Sequence, residues 1–323
     1  MLIGHQRIWD MLAQSASKNK LAHAYLFCGS SGTGKMTLVK EFVKWLFCEK
    51  TKVGEQLNGQ PCNVCRSCQE IEKNSHPDLL MVSADKEGIS SEIGIGRIRE
   101  LQRQLIFYPY KSSLKVAIIE EAHNLTREAA NAFLKTLEEP SSQSLIILTS
   151  SARDLILPTI LSRCQLVRFL PVPADELKMG IELLGAKGSV LDKIVKLSAG
   201  RPGYAINLLN NQSLLSNHEA HIKKLEDILK SDLVFRFEAA KELSQDVFLT
   251  KEILSQWLVY LRDRLLEIGG QAGLLITEKK LLKTSHSLNS LLRACREIMG
   301  AQEALANPSF NAKLVLEVLL MKI

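Results

Sequence analysis

Short, nearly uninterrupted apolar runs alternate with amphipathic stretches through the first half of the chain. The runs are AYLFCG (24–29), KVAIIEE (115–121), SLIILTSS (144–151) and QLVRFL (165–170), and the intervening spacing predicts helices from about Gly34 to Leu46 and near Arg127 to Leu137. Runs without in–out alternation fit strands buried on both faces, so the rhythm predicts a parallel sheet flanked by helices. A Gly/Asn/Pro/Cys stretch at about 48–68 breaks the rhythm and reads as a small inserted module. Beyond Pro171 and Pro173 the strand pattern stops, and Ile181, Leu184, Leu191 and Ile194 recur at helical spacing. After the polar NNQSLLSN (210–217), segments such as KEILSQWLVYLRDRLLEI and AKLVLEVLLMKI predict an all-helical remainder. The expected division is an α/β domain over 1–171, a small helical domain over 172–209 and a helical domain over 210–323.

Composition narrows the class. With 323 residues the chain is long enough for two or three cores, and 46% hydrophobic with 24% charged residues is an ordinary globular balance. No apolar run approaches the ~20 residues that cross a bilayer. The opening MLIGHQRIWDML mixes polar and charged positions into its apolar ones, unlike a secretory signal, so a cytoplasmic location without membrane contact is expected. Forty-one basic against 35 acidic residues give a net charge of +6, too diffuse to establish nucleic-acid binding.

Two constellations carry chemistry. Gly29-Ser30-Ser31-Gly32-Thr33-Gly34-Lys35-Met36 follows a predicted strand and opens a predicted helix, the context in which GxxxxGK cradles phosphates on backbone N–H groups. Lys35 is expected to reach the outer phosphates. Met36 stands where a working loop carries Ser or Thr for magnesium, and a thioether is a poor ligand for that hard ion. Thr37 lies about 100° further round the helix, so it cannot simply replace that ligand, although an inner phosphate is within its scope. Glu120 and Glu121 end the KVAIIEE run, placed like the acids that hold magnesium and polarise water; a solvated strand-end pair is the plainer alternative. Thr149 and Ser150 end another run, either as sensors of the outer phosphate or as strand caps.

Cysteine supplies the second constellation. Of seven cysteines, Cys48, Cys62, Cys65 and Cys68 cluster, the last three at successive CxxC spacings, which predicts a closed tetrahedral zinc site of structural character. Gly59, Pro61 and Asn63 supply turn chemistry for such a knuckle. Buried free thiols, or His76 in place of Cys48, are the alternatives.

HAYLFCGSSGTGK, the four-cysteine insertion, HPDLL, VAIIEEAHNLTREAANAFLKTLEEP and LPTILSRC together resemble the bacterial clamp-loader subunits of the AAA+ class over nearly the whole chain. The resemblance implies an AAA+ phosphate-loop domain with an inserted zinc module, a helical lid and a helical collar. It also implies that Ser162-Arg163-Cys164 is the family's SRC motif, with Arg163 acting in trans on a neighbour's nucleotide; alone, Arg163 reads as a surface ion-pair partner. AGRPGYAINLL resembles the segment where motor subunits carry a sensor arginine, and Gly203 stands at that position. With Met36, this implies the delta-prime type: ATP or ADP held at a loop with a weakened magnesium site, little intrinsic ATPase, and no polymerase site. The implied partners are gamma/tau and delta subunits in a pentameric ring, with the sliding clamp and primed DNA reached through that complex. A divergent gamma/tau-type motor with its own turnover, and a stand-alone zinc-containing DNA-binding ATPase, are the competing readings.

Overall fold

A computed structural model of the chain describes residues 2–50, 60–84, 92–140, 143–270, 287–307 and 310–323. Gly59, with the rest of 51–59 in the predicted cysteine module, lies outside the described residues. Two compact units emerge, one of residues 1–180 and 200–204, the other of 181–199 and 205–323.

In the first unit the elements run α1 (Gln6–Ser17), β1 (Ala24–Cys28), α2 (Lys35–Phe47), α3 (Arg66–Glu72), β2 (Leu79–Val82), α4 (Ile95–Ile106) and β3 (Lys115–Ile119). They continue as α5 (Arg127–Glu138), β4 (Ser144–Ser150), α6 (Pro158–Leu161) and β5 (Gln165–Arg168). The five strands form one parallel sheet in the order β2-β3-β4-β1-β5. Every residue of β1 and β3 is buried, as their continuous apolar runs require. Successive side chains go to opposite faces: Tyr25 and Phe27 join Leu38, Phe42 and Trp45 on the α1/α2 side, while Ala24 and Leu26 join Ile98, Leu101 and Phe133 on the α4/α5 side. The predicted helices and strands of this half are present, and α1, α3, β2, α4 and α6 are additional to them.

Parallel strands bring the ends of β1, β3 and β4 to one edge of the sheet, where loops of open α/β sheets gather ligands. The loop after β1 is tied there by Gly29 N–H donating to the Ser150 carbonyl at 3.2 Å.

The chain continues through α7 (Ala174–Leu183), α8 (Gly188–Ser198) and α9 (Pro202–Asn210). In the second unit α10 (Gln212–Lys230), α11 (Leu233–Leu243), α12 (Val247–Ile268), α13 (Leu288–Ala306) and α14 (Ala312–Lys322) enclose a core of Ile222, Leu225, Trp257, Leu261, Ile298 and Leu320. Side-chain caps from Asp232, Asp246, Ser287 and Asn311 start the last four helices, each accepting an amide of the first turn. The Arg236 guanidinium donates to the Leu320 carbonyl at 2.9 Å, fastening α11 to the end of α14. Among the described residues no helix is long and apolar enough to cross a membrane.

Candidate functional site

Between β1 and α2 the loop of residues 29–34 turns through Gly32 (φ 77°) and Gly34 (φ 94°), a left-handed backbone that strongly favours glycine. No side chain caps α2 at Gly34, so its first-turn amides have no side-chain acceptor there, an arrangement that suits phosphate. Lys35 is buried, and its Nζ donates to the carbonyls of Gly29 (2.6 Å) and Ser30 (3.1 Å). Burial pulls the Lys35 pKa below the ordinary lysine range, and the nearby Glu121 carboxylate offsets part of that. The lysine thus lies curled into the loop, its ammonium 3.8 Å from Glu121 Oε1. Thr33 closes the loop through its hydroxyl to the Ser30 carbonyl at 2.8 Å, while Ser31 sits exposed at the tip.

Of the two acids beyond β3, Glu121 is the one brought to the loop. Its left-handed backbone (φ 48°) turns it away from the line of the strand. Its carboxylate accepts the Ser151 N–H at 2.7 Å and lies 3.2 Å from His123 Nδ1. Its own N–H donates to the Thr149 hydroxyl at 3.1 Å. Glu120 stays in the strand's line, its N–H on the Val82 carbonyl. The Ser150 hydroxyl donates to the Ala152 carbonyl at 3.0 Å and lies 3.3 Å from His123 Nδ1. Thr149 and Ser150 are therefore woven into the strand-end network that holds Glu121.

Met36 packs against the α1/α2-side core and, with Thr37, lines a cleft of about 670 Å³ that reaches the cysteine module along Lys40, Lys44 and Asn63. Met36 has no side-chain oxygen to offer magnesium, and Thr37, the next residue, lines this cleft. Two histidines missed by sequence reasoning join the site. His123 contacts Glu121 and Ser150, and His5 Nε2 lies 2.7 Å from the Thr33 carbonyl. His5 is 28 positions from that partner, a separation that carries no local signal.

Gly203, at the first turn of α9, sits directly on the loop: its N–H donates to the Gly32 carbonyl at 2.8 Å. A Cβ at Gly203 would lie 3.1 Å from that oxygen, tighter than most real contacts, and 3.4 Å from Gly32 Cα. Arg201 turns its guanidinium over the Tyr204 ring, 4.6 Å from the centroid.

The cysteine sulfurs come together. Sγ atoms of Cys48, Cys62, Cys65 and Cys68 all lie within 4.8 Å of one another. Tetrahedral zinc–thiolate bonds of about 2.3 Å put sulfurs roughly 3.8 Å apart, so the quartet fits one ion with little adjustment. Amides of Cys65 and Cys68 donate to the Cys62 and Cys65 sulfurs at 3.3 and 3.5 Å, the outer-shell support thiolates use. Burial, then the hydrogen bond with Cys65, pushes the Cys68 thiol well up. His76 is outside the quartet; it packs on Phe47, and its Nδ1 accepts the Asp78 N–H.

Arg163 follows α6. Its Nη1 donates to the Thr159 carbonyl (3.0 Å) and Ser162 Oγ (3.2 Å), and its Nη2 to Glu138 Oε1 (2.6 Å), with 34% of the side chain exposed.

A family model described as DNA polymerase III, delta subunit, matches residues 4–173. The delta' subunit of Bacillus subtilis is 37% identical over 51% of this chain and 47% of its own length. The tau subunit of the same organism is 33% identical over 71% of this chain and 39% of its own length. This chain therefore spans less than half of either relative. A solved gamma-subunit-related protein of Thermotoga maritima aligns over 98% of this chain and 97% of its own, with a TM-score of 0.40 and 20% identity. With its phosphate loop at the edge of a parallel sheet and the family model covering more than half its length, the chain belongs to the DNA polymerase III clamp-loader subunits of the AAA+ class.

Proposed function

We propose that this chain is a delta-prime-type clamp-loader subunit, which braces the loader and presents Arg163 to the nucleotide of a neighbouring motor subunit. The helical remainder is read as a lid (172–209) and a collar (210–323) that joins a pentameric ring with gamma/tau and delta subunits in the cytoplasm. Arg163 then adds positive charge where negative charge develops on the transferred phosphoryl group, and loading of the sliding clamp onto primed DNA follows from that turnover. At its own loop the chain holds ATP or ADP through the amides of 32–36 and Lys35, with Met36 leaving magnesium poorly held. Cys48, Cys62, Cys65 and Cys68 hold a structural zinc ion.

The observation that carries this reading is the seat of Gly203 on the Gly32 carbonyl. A motor subunit needs a long cationic side chain at that point; here backbone meets backbone, and a Cβ would require the Gly32 carbonyl to give by a few tenths of an ångström. An intact trans arginine beside a site that cannot sense its own phosphates suits a subunit that stimulates others. The test is hydrolysis by the isolated chain and by a reconstituted loader. The isolated chain should turn over negligibly, and Arg163→Ala should assemble normally but depress the loader's ATPase.

A second reading, a divergent gamma/tau-type motor, draws on the wider reach of the tau match, 71% of the chain against 51% for delta'. It requires ATP turnover by the chain alone, abolished in Lys35→Ala. The same assay therefore separates the two.

A further inference from the structure

Glu138 is the last residue of α5, and Glu139 follows it. Two carboxylates there face the negative end of the helix dipole, where acids are disfavoured and Lys or Arg preferred. Helix propensity therefore does not account for Glu138. What offsets its placement is a cation from another element: Arg163 Nη2, at 2.6 Å from Oε1. The opposite side of the same guanidinium is fixed by the Thr159 carbonyl and the Ser162 hydroxyl through Nη1. Three acceptors from two elements thus set the plane of a planar five-donor group and leave a third of the side chain exposed. Exposed ion pairs contribute little to stability, and Glu138 is itself 49% exposed, so the pair is poorly explained as a fold-stabilising device. It is better explained as orientation.

We infer that Glu138 is a positioning residue for the trans arginine: it fixes the direction in which Arg163 leaves its own subunit. This rests on the reading of Arg163 as a finger. The physical ground is pre-organisation. A long side chain with four rotatable bonds samples many rotamers, and misplacing a group that stabilises a transition state by about 1 Å can cost on the order of 100-fold in rate. An anchor that removes most of those rotamers before the subunits meet raises turnover without altering how tightly the neighbour binds nucleotide.

The experiment uses the reconstituted loader with Glu138→Ala, Glu138→Gln, Arg163→Ala and the Glu138→Ala/Arg163→Ala double variant, after checking assembly and melting of each. Glu138→Ala is expected to lower kcat for ATP about tenfold with KM unchanged, an intermediate loss expected of imperfect positioning. Glu138→Gln keeps an acceptor oxygen and should recover most of that loss, and the double variant should be no slower than Arg163→Ala alone. A Glu138→Ala loader at or above normal turnover, while Arg163→Ala is slow, overturns the positioning role and leaves the finger reading standing. So does a raised KM, or a double variant slower than Arg163→Ala. If Arg163→Ala itself turns over normally, the finger reading fails and this inference goes with it.

Discussion

Glu121 and Gly203 show how single backbone positions decide the character of the site. Two adjacent glutamates follow β3, and the left-handed turn at Glu121 delivers its carboxylate to Lys35, His123 and the Ser151 amide. Such a conformation costs a non-glycine residue on the order of 1 kcal/mol, which the surrounding hydrogen bonds offset. Nothing in the local sequence distinguishes Glu121 from Glu120, so this choice was not legible before the fold. Gly203 works in the opposite sense, by what it lacks. In Gly203→Arg the new Cβ would press on the Gly32 carbonyl. The expected outcome is no gain in ATPase and nucleotide binding weakened about tenfold, about 1.4 kcal/mol, measured by titration with a fluorescent ATP analogue. A gain in turnover would show that α9 gives way. Asp78 is a third decisive position, buried with its carboxylate accepting the amides of Tyr110, Lys111 and Ser112 at 2.6 to 2.8 Å. Burial alone would raise its pKa, but the three amides outweigh it and the net shift is downward. A depressed carboxyl pKa stabilises the fold above the ordinary value near about 3.9 and loses that contribution as pH falls through the lower, folded value. Asp78→Asn should therefore cost about 1–3 kcal/mol at neutral pH and flatten the loss of stability below about pH 4, read from denaturant midpoints across pH.

At the scale of elements, the strands were legible because burial on both faces demands unbroken apolar runs, and β1, β3 and β4 carry them. β2 is only four residues long, and α4 shows its apolar positions between Arg97, Arg99, Glu100 and Arg103, so neither stood out. The glycine-rich loop was legible from glycine and lysine spacing between a predicted strand and a predicted helix, whereas His5 joins Thr33, and His123 joins Glu121 and Ser150, only through the fold. The cysteine module lies between these cases: spacing singled out its four cysteines, and the structure brings their sulfurs together. α3 has seven residues, too few to be stable by itself, and its N-cap is the Cys65 sulfur accepting the Cys68 amide. Cys48 caps the end of α2, and Lys44 on that helix pairs with Glu72 of α3 at 2.5 Å. A metal on the four sulfurs would fasten α3 to α2. Purified without chelator, the chain should carry about one zinc ion, and the four quartet thiols should become open to modification only after chelator is added. Cys65→Ser should lose the ion and expose the remaining three. Because burial holds the Cys68 thiol protonated, metal must displace its proton, so affinity should fall as pH is lowered. Elemental analysis with thiol titration checks both statements.

For the molecule as a whole, the two units carry separate cores. Side chains of the sheet clusters all come from residues up to 169, and those of the large helical cluster all from 222 onward. The loop of residues 29–34, the cysteine quartet and Arg163 belong to the first unit, while the named elements of the second are, among the described residues, all helices. Separate cores of this size should melt as separate cooperative transitions, and a perturbation confined to one core should move one transition. If the quartet holds a metal, chelation removes a staple from the first unit. If it costs about 4 kcal/mol, the corresponding midpoint should fall by roughly 10 °C, with the other unmoved. Tryptophan assigns the transitions: Trp9 and Trp45 lie in the sheet core, and Trp257 lies in the helical core with its indole N–H on the His221 carbonyl at 2.9 Å. Trp257→Phe should therefore lower only the chelator-insensitive transition, by an amount reflecting the lost hydrogen bond and packing. Calorimetry on the full chain, with and without chelator, in both sequences makes the comparison. One transition that shifts with both perturbations would mean that the cores unfold together, and that the quartet stabilises the helical unit as well as its own.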